Sequence, residues 1–333
     1  MIIAEIGSVH DGNLKLALKL VREAAKCGAN IVKFQMHIAE EETLKNAPSP
    51  DYFNKEKRFE YFKRTAFKFD EWKKIKQECK KNKVEFLCSP FSMKAVDILE
   101  KLEVKKYKIP SGELTNLPLL KKIKKTKKEV ILSTGMSNWK EINNAYNIFK
   151  NKKKITIMQC TSLYPCPIES SGINVIKEIR KKFKCKIGYS DHTLGLSSAC
   201  FAAAEGAEII EKHFTLSKKL YGSDAKNSME PNEFKSLVKM LNEIWKIKKC
   251  IINKDDLQPF KKMKKIFEKS IVAKNDIKKG TFLSTLHLDY KKPGDGIRAD
   301  NFKKILGKRT KINIKKNTKI KLTYLIWKKK KYV

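Results

Sequence analysis

The sequence predicts an α/β protein: a closed (β/α)8 (TIM) barrel over residues 1–250, a linker at 251–267 and a small all-β module at 268–333. Three observations predict it. Eight short β-branched runs alternate with longer amphipathic stretches as far as Cys250. Nearly every run ends in a polar group that packing does not require. The alternation then stops at a Lys-rich stretch containing Pro259, beyond which the apolar runs shorten and turn residues multiply.

The strand runs are Ile2–Ile6, Ile31–Phe34, Val84–Cys88, Tyr107–Ile109, Val130–Leu132, Ile155–Met158, Cys185–Tyr189 and Ile209–Phe214. Between them lie helical patterns such as Leu14–Cys27, Phe69–Lys80, Met93–Leu102, Trp139–Phe149, Val175–Phe183, Leu196–Glu205 and Pro231–Ile247. Strands alternating with helices imply right-handed crossovers and a parallel sheet. Eight such units in about 250 residues fit a closed barrel better than an open sheet. The span from Phe34 to Val84 is too long for one helix, so the second unit carries an inserted loop. In the C-terminal module, Ile271–Ala273, Leu286–Tyr290, Thr310–Ile314 and Lys319–Trp327 read as short strands, with turns at Lys279-Gly280 and Pro293-Gly294. The chain of 333 residues is long enough for two domains, and 41% hydrophobic content supplies a core.

Seventy-four Lys and Arg against 36 Asp and Glu give a formal charge of +38. The lysines are spread over the whole chain, which favours solvated helix faces over a single binding stripe. The Lys328–Lys331 run reads as a solvated tail. Basic runs without clustered aromatics argue against single-strand nucleic-acid binding. No apolar run reaches the roughly 18 residues of a membrane span, and the N-terminus lacks the basic flank and long apolar stretch of a secretory signal. Eight cysteines without a C-x-x-C pair speak against zinc fingers and for reduced thiols in a cytoplasm.

In such a barrel the chemistry sits at the carboxyl ends of the strands. There the sequence sets Glu5, Lys33, Gln35, Ser89, Lys108, Ser111, Glu113, Ser133, Ser162, Tyr164, Ser190, His192 and His213. Lys33 and Lys108 supply fixed charge, and Ser89, Ser111, Ser133, Ser162 and Ser190 short hydroxyl donors. That combination suits a phosphate together with a carboxylate. A lone strand lysine can snorkel to the surface, but an inward one needs a partner. His192 and His213 lie one β/α unit apart on neighbouring strands. Two neutral imidazoles with open positions suit a Lewis-acid divalent ion, Mn²⁺ before Mg²⁺ or Co²⁺.

Taken together, Glu5-Ile6-Gly7, Lys33-Phe34-Gln35, Ser89-Pro90-Phe91, Lys108-Ile109-Pro110-Ser111-Gly112-Glu113, Ser133-Thr134-Gly135-Met136, Cys160–Pro165, Ser190-Asp191-His192-Thr193, Glu211–Thr215 and Gly222-Ser223-Asp224 resemble the sialic acid (N-acetylneuraminate) synthases. The C-terminal module is similar to the antifreeze-like (SAF) domain of that family. The resemblance implies condensation of phosphoenolpyruvate with open-chain N-acetylmannosamine, giving a nine-carbon 2-keto acid and phosphate by C–O cleavage. Lys33, Ser89, Lys108, Ser111, Ser133, Ser162 and Ser190 would hold phosphoenolpyruvate. His192 and His213 would bind the metal that polarises the aldehyde, and Glu5 or Glu113 would orient or deprotonate the water. Gln35, Tyr164, Asp224 and Lys292 would contact the sugar, Lys292 across a domain-swapped homodimer.

Three positions depart from the family pattern. Val9 stands where the family has Asn, Ser89 where Thr is common, and Lys292 where an Arg is usual; Lys292 or Arg298 would take that arginine's place. An alternative acceptor is a 2,4-diacetamido-trideoxyhexose, giving legionaminic or pseudaminic acid, although the run His37-Ile38 to Glu42 resembles the N-acetylneuraminate branch more. A sugar-binding pseudoenzyme and a polyanion-binding protein are the non-catalytic alternatives.

Overall fold

The computed structural model describes residues 1–49, 56–149 and 152–327; the Lys328–Lys331 run lies outside them. The chain divides at Cys250 into two compact units, Met1–Cys250 and Ile251–Val333.

The first unit is the expected barrel. Its strands are β1 (Ile2–Gly7), β2 (Ile31–Met36), β3 (Glu85–Pro90), β4 (Lys106–Ile109), β5 (Glu129–Ser133), β6 (Ile155–Cys160), β7 (Lys186–Asp191) and β8 (Ile209–His213). The paired strands run parallel in the order β3-β2-β1-β8-β7-β6-β5-β4, and β3 lies against β4 to close the cylinder. Helices form where the apolar period is near 3.6. Leu14–Lys26 buries Ala17, Leu20, Val21 and Ala24, starts at an Asn13 cap accepting from the Leu16 amide, and is followed by Gly28 at φ +92°. Ser92 caps Met93–Lys101 in the same way, and a reciprocal Asn138–Glu141 box starts Trp139–Ile148. Such caps stabilise a helix by about 1 kcal/mol each.

The period-2 alternation of the strands sorts the barrel interior into tiers. Lowest is an apolar cluster of Ile3, Ile31, Leu87, Ile131, Met158 and Ile209. Two residues further along the same strands comes a polar tier: Glu5, Lys33, Ser89, Ser133, Cys160 and Glu211, with Lys108 from β4 and Ser190 from β7, all buried. Two residues further again lies the mouth, with Gln35, Phe91, Ser162, His192 and His213.

The span between β2 and β3 is more than a loop. It folds into helices Ala39–Glu42 and Arg58–Thr65 ahead of Phe69–Lys81, and the first two share a small core of Ala39, Phe59, Tyr61 and Phe62. Within residues 251–267, the expected linker, a 3-10 turn forms at Gln258–Phe260 and a helix at Lys261–Phe267. The short strands follow: Ser270–Ala273 pairs antiparallel with Leu288–Lys291, and Arg309–Thr310 with Leu325–Ile326. They enclose a separate core that includes Ile271, Ile277, Leu283, Ile305, Ile320 and Leu325. No helix among the described residues is long and apolar enough to cross a membrane.

Candidate active site

The buried lysines have a partner that strand-end reading passed over. Glu211 lies two residues past Ile209, hence inside the barrel, and receives Lys108 Nζ on both carboxylate oxygens at 2.8 Å. Lys33 Nζ reaches Glu211 Oε1 at 2.9 Å, and Ser190 Oγ donates to the same oxygen at 3.2 Å. Lys33 also lies 3.3 Å from Glu5 Oε2, off the hydrogen-bond direction, so that oxygen has no donor. Glu5 Oε1 accepts from Gln35 Nε2 at 2.6 Å.

The electrostatics divide the two carboxylates. Burial pushes Glu5 up to about 7, outweighing the attraction of Lys33 and aided by the repulsion of Glu211. Burial acts on Glu211 in the same sense, but Lys108 and Lys33 hold it well below the usual carboxylate range. Burial also pulls the Lys108 ammonium below the usual lysine range, because its support from Glu211 is offset by the nearby Lys33 charge. One carboxylate is thus a permanent anion, and the other exchanges its proton near neutrality.

The hydroxyls surround this floor. Ser89 Oγ and Ser133 Oγ are buried and have no hydrogen-bond partner among the described residues. Unpaired buried hydroxyls are costly, so these two await an acceptor. Beside them, Gly135 leaves a cradle between two further hydroxyls: a Cβ there would lie 2.2 Å from Ser162 Oγ and 2.7 Å from Ser111 Oγ.

Above the floor opens a cavity of 360 Å³ lined by Gln35, Ser111, Ser162, Tyr164, His213 and Asp224, together with His37, Arg58, Phe62, Phe91 and Met136. The rings of His192 and His213 stand 5.5 Å apart. His192 Nδ1 lies 2.8 Å from the Thr161 carbonyl, which places a proton on Nδ1 and turns Nε2 to the Tyr164 hydroxyl, 3.1 Å away. His213 Nδ1 is buried without a partner among the described residues, and burial holds the ring neutral, down to about 4. The two imidazoles therefore suit a divalent ion whose other positions are filled by substrate and water. Among the described residues no three His, Cys, Asp or Glu side chains converge as a cluster. Asp224 Oδ2 accepts from the Ser8 amide and fills the space where Gly7, at φ +52°, has no Cβ.

Other predicted residues fall elsewhere. Glu113, half-buried on the turn Ser111–Glu113, is held by Asn116 at 2.7 Å and does not line the cavity. Lys292 belongs to the second unit, its Nζ 5.0 Å over the Phe267 ring, while Arg298 there is bound to Asp300 at 2.9 Å. Asp191 and Lys212, adjacent to site residues in sequence, point the other way: they pair at 2.7 Å, with Ser198 also on Asp191. His10 is structural, accepting from the Gly12 amide and packing on Phe67. Sequence reading quoted Glu211 and Cys160 in its motifs without giving them a role, and missed Arg58 and Phe62. The first two are found by counting in twos along β8 and β6; Arg58 and Phe62 arrive from the inserted helix, which no strand pattern announces.

Comparison with known proteins shows the family. Residues 20–253 match the NeuB family and residues 268–323 the SAF domain. The chain is 40% identical over 330 residues to the N,N'-diacetyllegionaminic acid synthase of Campylobacter jejuni, covering 96% of this chain and 98% of that one. It is 31% identical over 331 residues to the N-acetylneuraminate-9-phosphate synthase of Mus musculus, covering 95% and 90%. Among solved structures, the N-acetylneuraminic acid (sialic acid) synthetase of Leptospira borgpetersenii superposes with a TM-score of 0.69 at 32% identity, covering 79% of this chain and 90% of that chain. The chain therefore belongs to the NeuB family.

Proposed function

We propose that the protein condenses phosphoenolpyruvate with the open-chain aldehyde of a 2,4-diacetamido-2,4,6-trideoxyhexose, releasing phosphate and a legionaminic-type nine-carbon 2-keto acid. The observation that carries the phosphoenolpyruvate half is the pair of buried, unpartnered hydroxyls on Ser89 and Ser133 in the tier that holds Lys33 and Lys108. The acceptor half is supported by 40% identity to a diacetyllegionaminic acid synthase, against 31% to the N-acetylneuraminate-9-phosphate synthase. The cavity wall agrees. Phe62, Phe91 and Met136 offer apolar surface to acyl methyls and a deoxy carbon, and Arg58, whose Nε is buried without a partner, offers a donor to an acyl carbonyl.

In this reading Lys108, Lys33 and the serine hydroxyls hold the phosphate and carboxylate. C3 of the enol attacks the aldehyde carbon, whose oxygen takes up a proton. Water then adds at C2, the C2–O bond to phosphate breaks, and the carbonyl of the keto acid forms. Glu5, whose Oε2 lacks a donor, orients that water and takes its proton. His192 and His213 would hold Mn²⁺ or a similar ion, which when bound draws electron density from the aldehyde oxygen. Lys292, exposed and without an ion pair among the described residues, is the better stand-in for the family arginine at a partner subunit's sugar site, because Arg298 is tied to Asp300.

The test is phosphate release and product mass from phosphoenolpyruvate and Mn²⁺ with a panel of acceptors. The diacetamido sugar of the legionaminic type should be consumed fastest. Preference for N-acetylmannosamine would return the acceptor to the sialic branch, and turnover with none would reject the reaction.

A further inference from the structure

The cavity wall contains a chain of polar contacts that no step above uses. Gln35 Nε2 donates to Glu5 Oε1 at 2.6 Å, so the Gln35 carbonyl oxygen faces the other way, 3.0 Å from His37 Nε2. That oxygen accepts, so His37 Nε2 carries a proton. The other ring nitrogen, Nδ1, lies 2.7 Å from Glu42 Oε1, at the end of the helix Ala39–Glu42. The imidazole is clamped between Phe62, 3.7 Å away with an interplanar angle of 8°, and Phe91, 4.1 Å away at 26°. The ring cannot tilt without losing both stacks, and its two hydrogen bonds set which nitrogen faces Gln35.

Resting on the reaction proposed above, we propose that Glu42, His37 and Gln35 form a hydrogen-bonded relay that fixes Glu5, and that His37 is a positioning residue for it. Glu5 Oε2 has no donor of its own, and Lys33 is off the hydrogen-bond direction, so the Gln35 amide is the one hydrogen bond among the described residues that orients the carboxyl. Gln35 can turn about its terminal torsion unless its oxygen is held. His37 holds it, and Glu42 fixes the rotation of His37. Second-layer partners of this kind change activity by about 10- to 100-fold when removed.

His37→Phe separates positioning from packing, because a phenyl ring keeps both stacks and removes both hydrogen bonds. The expected result is a kcat lower by about 10- to 100-fold, with KM for both substrates within about twofold, and a thermal midpoint lowered by the Glu42 carboxylate left without its partner. Glu42→Gln retains an oxygen that accepts from Nδ1 and should stay within about threefold of wild type, whereas Glu42→Leu should fall with His37→Phe. In a Glu5→Gln background His37→Phe should cost nothing further, since it acts through Glu5. A His37→Phe enzyme at wild-type kcat, a loss confined to KM, or an undiminished loss in the Glu5→Gln background would each overturn the relay. Should His37→Phe fail to fold, the Glu42 pair decides the matter: equal activity of Gln and Leu overturns it. A wild-type enzyme inactive on every acceptor would instead remove the reaction, and the relay with it.

Discussion

Replacing Glu211 by Gln should destabilise the barrel more than almost any other single change in it. Lys33, Lys108 and Glu211 are 4%, 2% and 4% exposed, so solvent screens little of their attraction. A unit-charge contact at 2.8 Å has an attraction of about 6 kcal/mol at an effective dielectric of 20. The Gln carbonyl recovers about 2 kcal/mol as a hydrogen bond to a charged donor. The difference, about 4 kcal/mol, agrees with the roughly 3–5 kcal/mol seen when one partner of a buried ion pair is removed. Lys33 keeps Glu5 at 3.3 Å, so the stranded charge is Lys108. With a urea slope of about 2.5 kcal/mol/M, the midpoint should fall by about 1.5 M.

Two further measurements tie that loss to the charge itself. Adding Lys108→Met removes the stranded ammonium, and the double variant should return to within about 2 kcal/mol of wild type. The deficit should also shrink on the alkaline side. The Lys108 ammonium is already held below the usual lysine range by burial, so its cost is full at low pH and lifts as pH rises through the folded-state value. A Glu211→Gln midpoint within 0.4 M of wild type (about 1 kcal/mol), or a double variant no better than the single, would refute the assignment of Glu211 as the counter-ion.

The remaining expectations concern the anion site and the proton. Ser133→Ala removes a buried hydroxyl that has no partner in the free protein. Stability should therefore hold or rise slightly, while KM for phosphoenolpyruvate rises about tenfold, the worth of one hydrogen bond to a charged acceptor; an unchanged KM would place the anion elsewhere. Gly135→Ala has no positive φ to oppose it, yet its Cβ would sit 2.2 Å from Ser162 Oγ, so isothermal titration should show phosphoenolpyruvate binding weakened by more than about tenfold, at least 1.4 kcal/mol. Because Glu5 is raised to about 7 and acts as its anion, kcat/KM should climb with pH through that value. Glu5→Gln should lose that limb and slow the reaction by about 10²- to 10⁴-fold; the same limb surviving in Glu5→Gln would assign the base to another group.

Much of this was legible because a parallel barrel imposes two strict rules, period 2 along each strand and function at one rim. All eight runs became strands, and Lys33, Lys108, Ser89, Ser133 and Ser190 share the tier that their parity dictates. The same parity separates Glu211 from Lys212, neighbours in sequence that face opposite sides of the sheet. Glu211 stood in a quoted strand-end motif but was given no role, because the reading did not ask which residue would neutralise two inward lysines. Arg58 and Phe62 were not legible for another reason. Their helix has no register with any strand, and only its packing around Phe59 and Tyr61 brings it over the mouth. The helix Lys261–Phe267 escaped because Met263, Ile266 and Phe267 are exposed, leaving no buried face to print a pattern on the sequence.

The charge of +38 and the charge of the site are therefore separate matters. In the polar tier two lysines face two carboxylates, and at neutral pH the proton shared out at Glu5 leaves the floor between neutral and singly positive. Such a floor does not collect anions from a distance. It recognises one that arrives, through hydroxyls already stripped of water and two ammonium groups whose positions Glu211 fixes in advance. Discrimination then resides in short contacts inside a desolvated tier, where salt screens little. The surface lysines add a long-range attraction that salt removes, so ionic strength should alter the rate of phosphoenolpyruvate association far more than the rate at which it leaves.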